Sequence, residues 1–238
     1  MYKRQTLASA VTCASSLTIA GQTAPGDGIA IIGHEISLSA KTNEIVRYVR
    51  IRPGSLSSSG EDAINVGDGT NMIFDHCSLE FAGYNNIDAH GNNGSDAMTV
   101  QNSIIGDPMS NGTSAKQGFG AHTEHVGGKM AWFYNLWVSE HNRQPLAKID
   151  TIFVNNTEYN FQAGYTVADT SGNFHHDIIN NYFITGPTDP SGGNAFYQMD
   201  ANQMIYAAGN LIDNNNDGAL NGGSISPGGG GTMLTRCV

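Results

Sequence analysis

Short apolar runs recur along the chain, separated by turns rich in glycine, asparagine and serine. Runs of this kind, bounded by turn residues, predict strands. They fall at residues 16–20, 29–32, 45–52, 71–79, 97–105, 130–138, 151–159, 176–184 and 203–212. Several share one grammar: two or three apolar residues, an Asn or Asp, then more apolar residues. Asp75, Asn102, Asn135, Asn156, Asn181 and Asn210 occupy that polar place, at gaps of 27, 33, 21, 25 and 29 residues. A repeat with variable insertions is the mark of a solenoid.

The physical logic favours one architecture. A coil of about 25 residues cannot bury its own apolar face and must stack on neighbours. Stacked in register, such coils form parallel sheets with strands about 4.8 Å apart. Asparagine at one equivalent place can then hydrogen-bond the asparagine above and below. It also tolerates the left-handed backbone of a tight corner. A sandwich would need many two-residue hairpins, and few are found. The pattern predicts an all-β fold, a right-handed parallel β-helix with an Asn ladder. The helix is expected over residues 6–212, with a Gly/Asn-rich, loop-like tail at 213–238.

Composition narrows the function. The 238 residues suffice for one large domain with a full core. Net charge is −10, which argues against nucleic-acid binding. No apolar run approaches the roughly 18 residues of a membrane-spanning helix. An acidic protein can still bind an acidic polymer when divalent cations bridge the two. Cys13, Cys77 and Cys237 are odd in number, lack metal-site spacing and are expected as buried free thiols. The N-terminus superficially resembles a signal peptide, but 1–5 and 236–238 look like translated sequencing-adapter ends. The chain is therefore expected to be a fragment, with a capping element missing.

Against this acidic background, Arg143 and Lys148 stand five residues apart, directly after the apolar run at 130–138. Two cations on one strand edge suggest a site for an anion, the bland alternative being a solvated edge packed by its aliphatic stems. Asp75 beside His76 suggests a general-base pair, yet strand neighbours point to opposite faces. His122 and His125 fit a zinc pair only loosely and without a third ligand, so a loop is expected there. His175 and His176 form an equally weak pair. Trp132, Phe133, Tyr134 and Trp137 are expected to alternate between core and surface, with core packing as the main role.

Three segments carry a family resemblance: 16–26 (SLTIAGQTAPG), 74–79 (FDHCSL) and 142–146 (NRQPL). In this order they resemble the pectate lyases, parallel β-helix polysaccharide lyases, from about residue 16 to residue 161. The resemblance implies calcium-assisted β-elimination on polygalacturonate by a secreted, monomeric enzyme acting on acidic plant cell-wall polysaccharide. It places the catalytic base at Arg143, although a free guanidinium is normally always protonated. It places substrate-binding cations at Lys148 and Lys116. Asp62 and Asp88 match its calcium ligands. Tyr84 and Gly60 stand where acids are expected, and Glu61 could substitute for the latter. The Asp75–His76 pair is structural in that family. The resemblance leaves two further readings: a catalytically lapsed β-helix that binds acidic polysaccharide, and a pectin lyase acting on methylated substrate without calcium. A structural repeat protein, with the ladder as its whole purpose, is the remaining class.

Overall fold

A computed structural model describes residues 3–58, 60–109, 118–168, 170–187, 193–228 and 231–237. Each apolar run becomes one face of a flattened coil. One coil illustrates the path: Ile64–Asn65, Thr70–Asp75 and Ser78–Glu80 follow one another around three sides. Each strand pairs in parallel with its counterparts in the coils before and after. The three resulting stacks are called the site sheet, the long sheet and the third sheet. Parallel pairing with both neighbours leaves every inward side chain directly above its equivalent. The sequence therefore reads as a column: Ile36, Ile64, Ile87 and Ala121 in the site sheet. Val46, Phe74, Val100, Trp132, Phe153 and Ile178 form the column of the long sheet. These columns make one continuous core. Each fully buried large side chain contributes roughly 1.5–3 kcal/mol, and Trp132 and Trp137, both fully buried, lie 5.0 Å apart between ring centroids. The parallel β-helix expected from the sequence is the fold observed.

The ladder runs through the corner between the long and third sheets. Asn135 donates from Nδ2 to Asn156 Oδ1 at 3.0 Å, Asn156 to Asn181 at 3.2 Å and Asn181 to Asn210 at 3.0 Å. Each amide oxygen also accepts the backbone N–H of the preceding rung. Two of the six expected rungs are wrong. The rung below Asn135 is Ser103, whose amide N–H is held by Asn135, and below it lies Cys77, bonded to the Ser103 hydroxyl. Asn102 instead occupies the left-handed corner at φ 50°, the position shared by His76, Asn155 and Asn180. Asp75 sits outside the ladder and collects Arg47, His76, Gln101 and Asn102. Corner and rung are adjacent positions, and both favour asparagine.

Three further expectations change. The segment holding His122 and His125 is part of the strand Phe119–Phe133, which runs through both the site sheet and the long sheet. Its partner Leu146–Val154 does the same, with a break in register after Glu124. The tail adds two short strands, Gly223–Ser224 antiparallel to Leu211–Asp213 and Thr232–Met233 parallel to Met204–Ala208. Of the three thiols, which are free as expected, Cys77 is buried, Cys13 half-buried and Cys237 exposed.

Candidate active site

The site sheet brings together residues from four coils. Asp62 lies 4% exposed at its edge. Its Oδ1 accepts the backbone N–H of Asn85 at 2.9 Å and the Asn85 Nδ2 at 3.0 Å. Asn85 Oδ1 in turn accepts Arg143 Nη1 at 2.8 Å, across 58 residues of sequence. The Arg143 guanidinium lies over the Phe119 ring, 4.0 Å from its centroid, and 5.4 Å from that of Tyr84. The two rings meet edge to face at 5.5 Å. Arg143 thus sits in an aromatic corner, oriented by one amide. Its backbone is left-handed at φ 68°, a conformation that costs a non-glycine residue about 1 kcal/mol and clusters at functional sites. Gly120 makes room for this turn, since a Cβ there would lie 2.3 Å from the Arg143 carbonyl oxygen.

A second chain of contacts runs beside the first. Asp88 Oδ1 lies 3.5 Å from His122 Nδ1. His122 Nε2 lies 3.1 Å from a Glu124 carboxylate oxygen, and Lys148 Nζ lies 3.5 Å from the same oxygen. The cross-strand register explains the grouping: Asp88 faces His122, and Glu124 faces Lys148. Burial pushes the Asp62 carboxyl up to about 8, with the Asp88 charge adding to it. Burial likewise pushes Asp88 up to about 6, opposed by His90 and Arg143. Burial and the Arg143 charge push His122 down to about 4, so its ring is neutral at pH 7. Two carboxyls raised by burial, with cations beside them, are the groups an incoming charge would act on.

Of the residues singled out from the sequence, Asp62, Asp88, Arg143 and Lys148 lie on this one connected face. Glu61 is engaged elsewhere, 3.0 Å from His34 Nδ1 and accepting the Ser58 N–H at 3.1 Å. Lys116 lies outside the described residues. Asp75 takes Arg47 and Gln101 from the long sheet and Asn102 and His76 from its corner, away from this face. Four participants had no local signal, Asn85, His90, Glu35 and Phe119, while Tyr84 is marked only as standing in the place of an acid. Glu35 accepts the Asp62 N–H at 3.1 Å, and its carboxyl is raised by burial and by Glu61 and Asp88. Only the register of the stack brings such residues together. A hollow of about 460 Å³ on the long sheet, lined by Met98, Met130, Lys129 and Asp150, is separate from this face.

Whether these residues suit calcium can be judged on donors. Asp62 and Asp88 supply carboxylates, with Glu35 next to Asp62. Asp88 Oδ1 is buried and has no hydrogen-bond partner, a cost that a cation would relieve. Calcium wants six to eight oxygens, more than these side chains offer. The residues therefore fit a cation whose shell is completed by water and by a carboxylate of a bound polymer.

The likenesses to known proteins agree with this geometry. The chain is 36% identical over 221 residues to a probable pectate lyase C of Aspergillus terreus, covering 90% of this chain and 49% of that protein. It is 37% identical over 218 residues to the probable pectate lyase C of Aspergillus fumigatus, covering 89% and 49%. The Emericella nidulans protein of the same name is 36% identical over 215 residues, covering 88% and 47%. The chain spans about half the length of the curated relatives it matches. No protein-family model matches it. Among solved structures, the thermostable pectate lyase PL 47 superposes with a TM-score of 0.58 at 17% identity, over 86% of this chain and 56% of that one. Sequence likeness along nine-tenths of the chain, on a β-helix with an arginine and paired carboxylates on one sheet, places it in a single family: the chain belongs to the pectate lyase superfamily.

Proposed function

We propose that this chain is the catalytic β-helix of a polysaccharide lyase that cleaves polygalacturonate by β-elimination. The observation that carries the reading is the hydrogen-bonded line Asp62–Asn85–Arg143, which aims one guanidinium along the same face as Asp88 and Lys148. In the reaction the C5–H bond breaks, its electrons form the C4–C5 double bond, and the C4–oxygen bond leaves with its pair. The leaving oxygen is protonated from solvent. Arg143, once it has given up its own proton to solvent as the neutral guanidine, is the group positioned to take the C5 proton, and the cations of the loaded site (Lys148 and the bound calcium) would favour that neutral form. Lys148, reached through Glu124, binds a uronate carboxylate. Asp62 and Asp88 would hold calcium, which supplies charge neutralisation at the uronate carboxylate when bound. A substrate outside the cell puts the enzyme there as well.

A second reading has one observation in its favour. Tyr84 occupies the place of an acid and forms an aromatic wall with Phe119, which suits the neutral, methylated polymer of a pectin lyase.

One assay separates these. Unsaturated product is followed near 235 nm with polygalacturonate and with methylated pectin, each with calcium or with chelator. The primary reading expects turnover on polygalacturonate that chelator abolishes. Arg143→Ala should lower kcat by about 10³-fold or more, a loss typical of removing a key reacting group, while the melting temperature holds. Chelator-insensitive turnover on methylated pectin alone supports the second reading. Unchanged turnover in Arg143→Ala rejects the assignment of the residue.

A further inference from the structure

The cluster beside Arg143 contains more imidazole than a calcium site needs. Asp88, His90 and His122 each offer one ligand atom, all within 4.8 Å of one another. The ligands come from two successive coils, with Asp88 and His90 on one strand two residues apart and His122 on the next, in register with Asp88. The two rings now stack at 4.9 Å with 6° between their planes, so one of them must turn out of the stack for both nitrogens to meet one ion. Ligands about 2 Å from a shared tetrahedral ion stand roughly 3.3 Å apart, so a side-chain rotation of the exposed His90 would close the cluster. His122 is oriented as a ligand requires. Its Nδ1 faces Asp88, while its Nε2 lies 3.1 Å from Glu124. A carboxylate on the far ring nitrogen fixes the tautomer that leaves Nδ1 free for metal. Glu124 is in turn held by Lys148. Asp88 Oδ1, buried and without a hydrogen-bond partner, is the fourth piece.

The geometry points to a site for an imidazole-preferring divalent transition ion, Zn²⁺ or one of its neighbours, held by Asp88, His90 and His122 and oriented by Glu124. Calcium seeks oxygen, whereas imidazole suits zinc, copper, nickel and iron. Three protein ligands on an exposed sheet face leave a fourth position open, the pattern of sites that bind a water or a substrate oxygen. The site shares Asp88 with the proposed calcium pair, so filling one draws a carboxylate from the other. It does not rest on the lyase reading, because none of its ligands is assigned the proton transfer.

The test uses the full 238-residue chain without a tag and with thiols alkylated, since Cys237 is exposed and would itself take zinc. Zn²⁺ is titrated by calorimetry, and Co²⁺ by its visible absorption. One ion per chain is expected, with micromolar or tighter affinity and at least hundredfold preference over Ca²⁺. His90→Ala and His122→Ala should each weaken Zn²⁺ at least tenfold. Glu124→Gln should weaken it by about tenfold while leaving the Co²⁺ band shape that the three ligands set. Proton NMR on the unmodified sequence gives a fold-independent check: Zn²⁺ should shift the ring signals of two histidines. No binding in the micromolar range, or unchanged binding in the His90→Ala/His122→Ala double variant, overturns the site. So does a shift of any other pair of histidines. The lyase reading is judged separately by Arg143→Ala turnover.

Discussion

Glu158 carries the sharpest conflict of any single residue in the stack. Its register places it in the inward column between Trp137 and Phe183. It is 0% exposed, and neither carboxylate oxygen has a hydrogen-bond partner. Burial, reinforced by Glu140, raises its carboxyl well above the ordinary range. The sign follows from linkage. An acid whose folded value is raised costs no stability below its unfolded value, near pH 4.3, and an increasing amount as the pH rises beyond it. Glu158→Gln should therefore stabilise the fold more at pH 8 than at pH 4, and Glu158→Met by roughly 1–3 kcal/mol at pH 8. Denaturant melts at the two values check this, and equal shifts at both would refute it. Asp75 has the opposite character: burial works against its charge, but hydrogen bonds from Asn102, Gln101, His76 and Arg47 overcome it and hold the carboxyl at about 2. Its contribution is present at neutral pH and lost only in strong acid. That is why a pair resembling a general base serves as a fastening.

The ladder is the element on which the coils depend most visibly. Asn181 donates to Phe153 O and Asn210 Oδ1 and accepts both the N–H and the side-chain amide of Asn156. Replacing it by alanine takes the acceptor from the buried Asn156 N–H and the donor from Phe153 O and Asn210 Oδ1, at about 1–3 kcal/mol for each buried group left unmatched. Asn181→Ala should lower the denaturation midpoint by an amount equivalent to about 3 kcal/mol or more, with an unchanged m value, and Asn181→Ser should recover part of it. This element was legible in the sequence because the asparagine side chain both donates and accepts along a stack and recurs at one place in successive coils. Its register was not fully legible. Asn102, Asn155 and Asn180 mark the corner, whereas Asn135, Asn156, Asn181 and Asn210 mark the rung. Where a coil carries only one asparagine, as at Asn102–Ser103, its sequence fits either place. The site was readable to the same degree. Asp62, Asp88, Arg143 and Lys148 stand out as charges at suggestive spacings. Asn85 and Glu35 gain meaning only from neighbours 23 to 58 residues away, and His90 from His122 on the next coil. His122 and His125 misled because a local spacing was read where the partner, His90, stands on another coil.

At the scale of the whole molecule, the sequence order of the coils is also their spatial order. Backbone pairing joins each coil only to its neighbours, with a few side chains such as Arg143 reaching one coil further, so stability is largely a sum of nearest-neighbour terms and opening begins at the ends. The proposed site draws on the coils from Asp62 to Lys148, with further coils on either side. Amide exchange should accordingly be slowest at Ile87, Ala121, Val100 and Trp132, and fastest in Lys3–Thr6, Gly223–Ser224 and Thr232–Met233. Uniform protection along the stack would contradict a nearest-neighbour molecule. The long strands Phe119–Phe133 and Leu146–Val154 add one consequence. Each passes from the site sheet into the long sheet as one strand, bent where the register breaks after Glu124, and so ties the proposed site to the deepest tryptophan layer. His122 and Trp132 stand on the same strand, so the tryptophan's fluorescence offers a built-in reporter of whatever settles on that surface.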